Sequence, residues 1–590
     1  MTPPPQLVAN TVSQLLAQRV ATTPHAPAFY RESIHGGWES ITWQDFEMRA
    51  AKLSRSLHAA GLRKGGRLAL IAPVSLEWEL LHHAAMAMGV AIVGLDTHDL
   101  PDRIAAMCTL ADVTAIATSN ACSLARFDAD RLLGAKFVLD LGMAAGLADG
   151  IRRLTWSELN RLGDSMKDAP ETPRTSEIAT IIFTSGATGT PKGITYTHAQ
   201  LCLATAGICE SFPFIGANSC LLCWLPLSNL FQRMVNLAAL RSGAATYLLG
   251  DPHRIMAVVA DVSPEVFIGV PRFYEKLYQG IQQQVASQPA YIRGLVELAM
   301  GIARKASQRR RQRQACPFWL QLGHQIAELA VLRRIRGVMG ARIRCMITGS
   351  APTPGYLLEE FDALGWLLLE AYGLSENVLP MAMNLVDDFR FGTVGRPLQG
   401  NEIIVGENGA IKVRGQGVFA GYLGDAEKAS FDKDGFYTTG DLGQFDVDGY
   451  LKLIGRTTDL IKTSTGRRVA PAPVEALLQS IPGIDQAILI GAGRKCLVAL
   501  CYCTGEATTA EFKPRLAVAI GEKLKQVAEH ERPTAIGVIE HPFSIERGEL
   551  TSNLKLRRSV IEEMHTQVIQ RMYGLLDQQE KSTTDHIMII

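Results

Sequence analysis

Apolar positions along the chain recur in two alternating rhythms. Short runs such as Arg67-Leu68-Ala69-Leu70-Ile71-Ala72, Val90-Ala91-Ile92-Val93, residues 113–117 and Phe137-Val138-Leu139 have the length of strands, and helix-length segments such as 76–88 separate them. Strands spaced in this way predict a mainly parallel sheet covered by helices. Residues 10–60 carry helical patterns broken by a short hairpin around Gly36-Gly37. Ile343-Arg344-Cys345-Met346-Ile347 reads as another strand, and a further one is predicted to deliver Tyr372, Ser375 and Glu376 within residues 367–376. Two hairpins follow, with type I′ turn signals at Asn408-Gly409 and Asp448-Gly449. From about residue 459 the pattern becomes that of a smaller α+β module, with strands expected at 487–490, 496–502 and 536–539. Residues 581–590, polar and then apolar, are expected to be disordered. No repeat stands out at solenoid periods.

One stretch organises the rest. The run Ile181-Ile182-Phe183 reads as a buried strand and leads into Thr184-Ser185-Gly186-Ala187-Thr188-Gly189-Thr190-Pro191-Lys192-Gly193. Glycines let the backbone approach a ligand and aim consecutive N–H groups at one point. The hydroxyls add donors and Lys192 adds a charge, which together suit a triphosphate. A Walker A loop needs Ser or Thr after its lysine, and here Gly193 follows Lys192. A dinucleotide loop opens into a helix, whereas Ile194-Thr195-Tyr196 reads as a second strand.

At 590 residues the chain should hold more than one domain. A net charge of +1 with 20% charged residues gives no global field favouring nucleic acid. The 11 cysteines are scattered through apolar segments. The close pairs Cys220/Cys223 and Cys501/Cys503 lack a second pair or clustered histidines, which argues for reduced thiols over a zinc site. The first residues lack the apolar core of a signal peptide, and no apolar run reaches membrane-spanning length. A cytoplasmic protein is the expectation. Residues 304–313 form the one strong charge run, with a solvated face as the plain reading and a membrane-surface or fatty-acid-steering patch as the alternative.

Several segments are ordinary alone and informative together. Thr348-Gly349-Ser350-Ala351-Pro352 is a small-residue turn against which a flat ring can lie. In Leu367-Leu368-Leu369-Glu370-Ala371-Tyr372-Gly373-Leu374-Ser375-Glu376, an aromatic can stack on a base, a hydroxyl can bond a phosphate and a carboxylate can hold a cation. Asp441, in Thr438-Thr439-Gly440-Asp441, can accept from two ribose hydroxyls, and Arg456 can bond the same sugar.

With the phosphate loop, these segments resemble the adenylate-forming superfamily of acyl-CoA synthetases, adenylation domains and luciferases. Trp224-Leu225-Pro226-Leu227-Ser228-Asn229-Leu230-Phe231-Gln232-Arg233, Phe267-Ile268-Gly269-Val270-Pro271-Arg272-Phe273-Tyr274-Glu275-Lys276 and Glu549-Leu550-Thr551-Ser552-Asn553-Leu554-Lys555-Leu556-Arg557 bring the likeness nearest to long-chain fatty acyl-CoA synthetases, over residues 20–575. The resemblance implies an α/β fold. It would have a large N-terminal domain of mainly parallel sheets covered by helices with a small β-barrel-like subdomain (1–454), a hinge (455–458) and a small mobile α+β C-terminal domain (459–590). It implies ATP, Mg²⁺, a carboxylic acid and CoA as ligands. Lys555, Glu376, Ser375 and Lys192 become catalytic candidates. Thr184, Ser185, Gly186, Thr188, Gly189, Gly349, Ser350, Ala351, Tyr372, Gly373, Asp441 and Arg456 become nucleotide contacts, and Glu376 with Thr184 the metal ligands. Ala187, Asn229 and Thr458 depart from the family pattern at the phosphate loop, the acyl entrance and the hinge. Transfer to a carrier protein or amine, and a non-catalytic nucleotide-binding role, are the competing readings. The compact run from Asp441 to Val474 leaves no room for the insertion of fatty acyl-AMP ligases and favours CoA.

Overall fold

The computed structural model of the chain describes residues 9–119, 124, 135–142, 152–166, 170–185, 191–424, 431–504, 513–544, 546–550, 556–579 and 588–589. Two large sheets build its first part. In the seven-stranded sheet, Arg153–Thr155, Val138–Asp140, Ala115–Thr118, Arg67–Ile71, Ala91–Gly94 and Ile178–Ser185 run parallel in that spatial order. Pro191–Thr197 is added antiparallel at the edge. The second sheet has nine strands around a parallel run from Leu368–Tyr372 through Cys345–Thr348, Val266–Gly269, Cys220–Cys223 and Ala245–Leu248 to Pro27–Glu32, with antiparallel strands at both ends. The central strands are buried along almost their whole length, as their continuous apolar runs require.

The helix Leu76–Ala87 is enclosed nearly all round, so its pattern is not one-sided. Ser75 caps it by accepting from the Trp78 backbone N–H at 3.2 Å. Its polar residues turn towards each other: the Glu79 carboxylate lies 3.5 Å from His82 Nδ1 and 3.8 Å from His83 Nε2.

A four-stranded antiparallel sheet follows, Asn401–Val405, Ala410–Gly415, Tyr437–Phe445 and Leu451–Arg456, in chain order. Its hairpins differ from expectation. A type I′ turn needs positive φ at both central residues, and neither Asn408 nor Asp448 has it. Instead Gly409 and Gly449 donate to Gly406 and Asp446 and carry φ +79° and +83°, so each hairpin is a three-residue loop closed by a glycine bulge.

The smaller lobe is α+β. Ile484–Ile490, Leu497–Cys503 and Pro533–Ile539 form its sheet over two apolar cores. Met588–Ile589 joins that sheet parallel to Pro533–Ile539, where disorder was expected, because an apolar end segment can complete an otherwise open edge. Gln279 and Asp485 touch across the two lobes at 3.4 Å.

Candidate active site

The described ends of the glycine-rich segment lie on paired antiparallel strands. Thr184 pairs with Lys192 and Ser185 with Pro191. Gly186, Ala187, Thr188 and Gly189 lie outside the described residues, as does Lys555.

The second of these strands, Pro191–Thr197, is pinned to a distant segment. Ile194 bridges Tyr422, and the Leu423 N–H donates to the Gly193 carbonyl at 2.7 Å. That pairing stands Lys192 over the Tyr422 ring, 5.1 Å from its centroid. The Tyr422 hydroxyl donates to Glu376 Oε1 at 2.8 Å and lies 3.2 Å from the Tyr437 hydroxyl. Burial, then the Tyr437 bond and the Glu376 charge, push the Tyr422 phenol far up, so it stays a proton donor. Two sequence-predicted residues, Lys192 and Glu376, are thus coupled through a tyrosine that no motif contained. The contact joins residues more than two hundred positions apart, and no local pattern announces it.

Glu376 does not lie on a strand as predicted. The strand stops at Tyr372, and Gly373 begins a turn that carries Ser375 and Glu376. The buried Tyr196 hydroxyl donates to the Ser375 carbonyl and fixes this turn against the strand Pro191–Thr197.

A second cluster lies beside the first. The Tyr372 hydroxyl donates to Asp441 Oδ2 at 2.7 Å, and Arg456 Nε donates to Asp441 Oδ1 at 2.8 Å. Asp441 and Arg456 are register partners on adjacent strands, which fixes their approach. Tyr372 is 6% exposed, and burial followed by the Asp441 charge raises its phenol well above the ordinary range.

The small-residue turn closes the same region. A Cβ at Gly349 would meet the Ala371 carbonyl at 3.1 Å. Ser350 carries φ +71°, one of four non-glycine residues with positive φ among the described residues, and such strain collects at ligand sites. Glu370, two residues before Tyr372, is a further buried carboxyl. Burial pushes it up to about 8 against the backbone N–H bonds from Gly392 and Thr353, and its Oε2 finds no partner among the described residues.

The two predicted acyl segments also meet. Trp224 stacks on Phe267 with centroids 5.9 Å apart and lies 5.3 Å from Phe273. Its Nε1 donates to the Ile268 carbonyl at 2.8 Å. Arg233, from the end of the first segment, turns into the core, where it donates to Thr180 at 2.6 Å. Asn229 serves as the N-cap of the helix Leu230–Ser242, accepting from Phe231 N at 3.0 Å, which gives this departure a structural role. Thr458 is exposed and bonds Asp459 at 3.1 Å.

On either side of Lys555, Leu550 bridges Leu556 and the Arg557 N–H donates to the Glu549 carbonyl at 2.8 Å. The Glu549 side chain is fully buried, takes the Ser544 N–H at 3.2 Å and lies 2.9 Å from His565 Nε2. It anchors the root of this segment.

The ends of the glycine-rich segment, the Glu376 carboxylate and the Asp441–Arg456 pair gather around the turn that follows the strand Leu368–Tyr372, the arrangement of an adenylate-forming enzyme. The sequence comparisons agree. The model of the AMP-binding enzyme family matches residues 16–423, and that of its C-terminal domain matches 458–577. The chain belongs to the AMP-binding enzyme family. It is 28% identical to the long-chain-fatty-acid–CoA ligase FadD15 of Mycobacterium tuberculosis over 585 residues, covering 92% of this chain and 94% of that protein. Fatty acyl-CoA synthetase B of Dictyostelium discoideum is 26% identical, with 92% and 86% covered. Among solved structures, the A-PCP didomain of carboxylic acid reductase from Segniliparus rugosus, in complex with AMP, superposes with a TM-score of 0.73 at 20% identity, covering 97% of this chain and 83% of that one.

Proposed function

We propose that the protein activates a medium- or long-chain fatty acid with ATP to an acyl-adenylate, releasing pyrophosphate, and then transfers the acyl group to CoA. The observation that carries this reading is that Lys192 and Glu376 meet on Tyr422, while Tyr372 and Arg456 meet on Asp441. Its support for a fatty acid comes from the likeness to fatty-acid–CoA ligases over 92% of the chain.

In this reading the acid's carboxylate attacks the α-phosphorus of ATP. Positioning and charge stabilisation supply most of the catalysis, since little covalent work falls to the protein. Residues 184–192 would hold the leaving phosphates, with Lys192 as their point charge and Gly186, Thr188 and Gly189 as close contacts. Ser375 would bond the α-phosphate. The adenine would lie between Tyr372 with Gly373 and the turn Gly349-Ser350-Ala351, and Asp441 with Arg456 would fix the ribose. Glu376 fits a Mg²⁺ ligand: one oxygen is taken by Tyr422, no described residue bonds the other, and such hard oxygen donors suit that ion beside phosphates. With Thr184 it would hold Mg²⁺, which offsets phosphate charge.

Lys555 would reach the carboxylate and the α-phosphate from the small lobe, which we place at 459–590 behind a hinge at 455–458. The family boundaries near 423 and 458 support that division. The turn Thr463-Ser464-Thr465-Gly466-Arg467-Arg468 would belong to the face presented for thiol attack after rotation. Pyrophosphate release measured over a panel of fatty and aromatic acids tests the first half. Release with fatty acids alone, and an acyl thioester only when CoA is added, is expected. No release with any acid overturns the reading, and adenylate formation that CoA never discharges overturns its second half.

A further inference from the structure

The helices Ala290–Arg311 and Phe318–Ala327, joined by six residues, pack along each other as a hairpin, and the second continues through Glu328–Leu332 into Arg333–Arg336. A Cβ at Gly323 would lie 3.6 Å from Ile302, so the pair approaches closely there. Ala299, Met300, Ala303, Leu320 and Ala327 are buried. The outward faces are not polar. On the first helix Tyr291, Leu295 and Leu298 recur at helical spacing and are 77, 50 and 63% exposed. On the second, Trp319, Leu322, Ile326 and Leu329 repeat the pattern at 68, 47, 60 and 70%, with Phe318 beside them at 79%. Eight of the eighteen large apolar side chains exposed among the described residues fall between Tyr291 and Leu329, a concentration that marks an interaction surface rather than ordinary scatter.

Charge selects the partner. Residues 290–336 hold ten lysines and arginines against two glutamates, in a chain whose net charge is +1. Four of the arginines are in ion pairs: Arg304 with Glu360, Arg310 with Asp362 and Arg311 with Glu359 and Asp362, all acids of the helix Gly355–Leu364, and Arg336 with Glu328. Lys305 and Arg309 continue the Tyr291–Leu295–Leu298 stripe by helical spacing, and Arg313 follows at the bend. None of these three forms an ion pair with a described residue. Arg333 continues the stripe of the second helix in the same way.

We propose that this hairpin is a docking surface for an anionic lipid bilayer. Apolar and aromatic side chains enter the interface, while the flanking cations meet acidic headgroups. A second copy of the chain fits less well, because a twofold contact would bring two basic faces together. No helix among the described residues is long and apolar enough to cross a membrane, so the contact is peripheral. The inference does not depend on the chemistry proposed above.

The test is co-sedimentation of the full-length protein with unilamellar vesicles of phosphatidylcholine, with or without about 30 mol% phosphatidylglycerol, from about 50 to about 500 mM NaCl. Binding to the anionic vesicles that weakens with salt is expected. Trp319→Ser with Leu322→Ser should weaken partitioning about tenfold or more at every salt concentration. Lys305→Glu with Arg309→Glu should remove the preference for phosphatidylglycerol. Trp319, Leu322 and Lys305 are exposed, whereas Arg309 is half-buried and donates to the Ala315 carbonyl at 3.0 Å, so a melting curve matching the wild type is the control for each variant. No vesicle binding, or variants that bind as the wild type does, overturns the proposal. So does a dimer in sedimentation velocity that Trp319→Ser with Leu322→Ser dissociates, or binding that only a soluble acidic protein reproduces.

Discussion

Tyr422 donates its hydroxyl to Glu376 across 2.8 Å while its ring face lies under Lys192. One side chain thereby sets the distance between the Lys192 cation and the Glu376 carboxylate of the opposing turn. Tyr422→Phe keeps the ring and removes the bond. A hydrogen bond to a charged group contributes about 1.5–3 kcal/mol, so kcat/KM for adenylation should fall about ten- to a hundredfold. The Mg²⁺ concentration for half-maximal rate should rise with it. Pyrophosphate release against Mg²⁺ concentration measures both, and an unchanged Mg²⁺ response would remove Tyr422 from this role.

Asp441 is the hub of the second cluster, accepting from Tyr372 and Arg456 on its two oxygens. Asp441→Asn keeps the shape but presents an amide to one of two donors. KM for ATP should rise about tenfold or more, while KM for the acid changes little. Because Arg456 is half exposed, its share of that loss is small beside the buried Tyr372 bond. Initial rates with each substrate varied in turn decide the matter, and equal effects on both would contradict a ribose-side role.

Two buried groups should tilt stability with pH in opposite directions. Glu370, held at about 8 by burial, stays protonated in the fold between its ordinary 4.5 and 8, whereas the unfolded chain is ionised there. The fold retains a proton, so stability falls as pH rises through that window. His198, lowered to about 4 by burial with both ring nitrogens unpartnered among the described residues, stays neutral while the unfolded chain protonates below 6.5. Stability therefore falls as pH drops from 6.5 to 4. Glu370→Gln should gain on the order of 4 kcal/mol relative to wild type by pH 8 and little at pH 4.5. Denaturant unfolding at several pH values reads both slopes, and a Glu370→Gln profile parallel to wild type would contradict this one.

Much of the architecture could be read from the chain. The runs at 67–72, 90–93 and 343–347 correspond to the buried parallel strands Arg67–Ile71, Ala91–Gly94 and Cys345–Thr348, because continuous apolar character has few other uses at that length; Ile343 and Arg344 lie before the third strand. Ile194-Thr195-Tyr196 lies on the antiparallel strand Pro191–Thr197, as expected. The turns were harder: Asn408-Gly409 satisfies both a type I′ turn and a glycine bulge, and strand twist chose the second. The tail at 588–589 pairs because of an edge contributed by residues 533–539, which local composition does not reveal. At the site, motif residues such as Tyr372, Asp441 and Arg456 were visible, but their mutual bonds were not. Tyr422 lies in no motif, and Glu370, though inside the segment 367–376, carries no signal of its own there: each matters through a burial set by the fold.

The central claim is that a cation on the small lobe completes the adenylation site. Lys555→Ala, assayed separately for acyl-adenylate formation and for thioester formation from preformed acyl-adenylate, tests it most directly. The first half-reaction should fall by about three orders of magnitude or more, with the second within a few-fold of wild type. Equal loss in both, or retention of the first, would contradict the account.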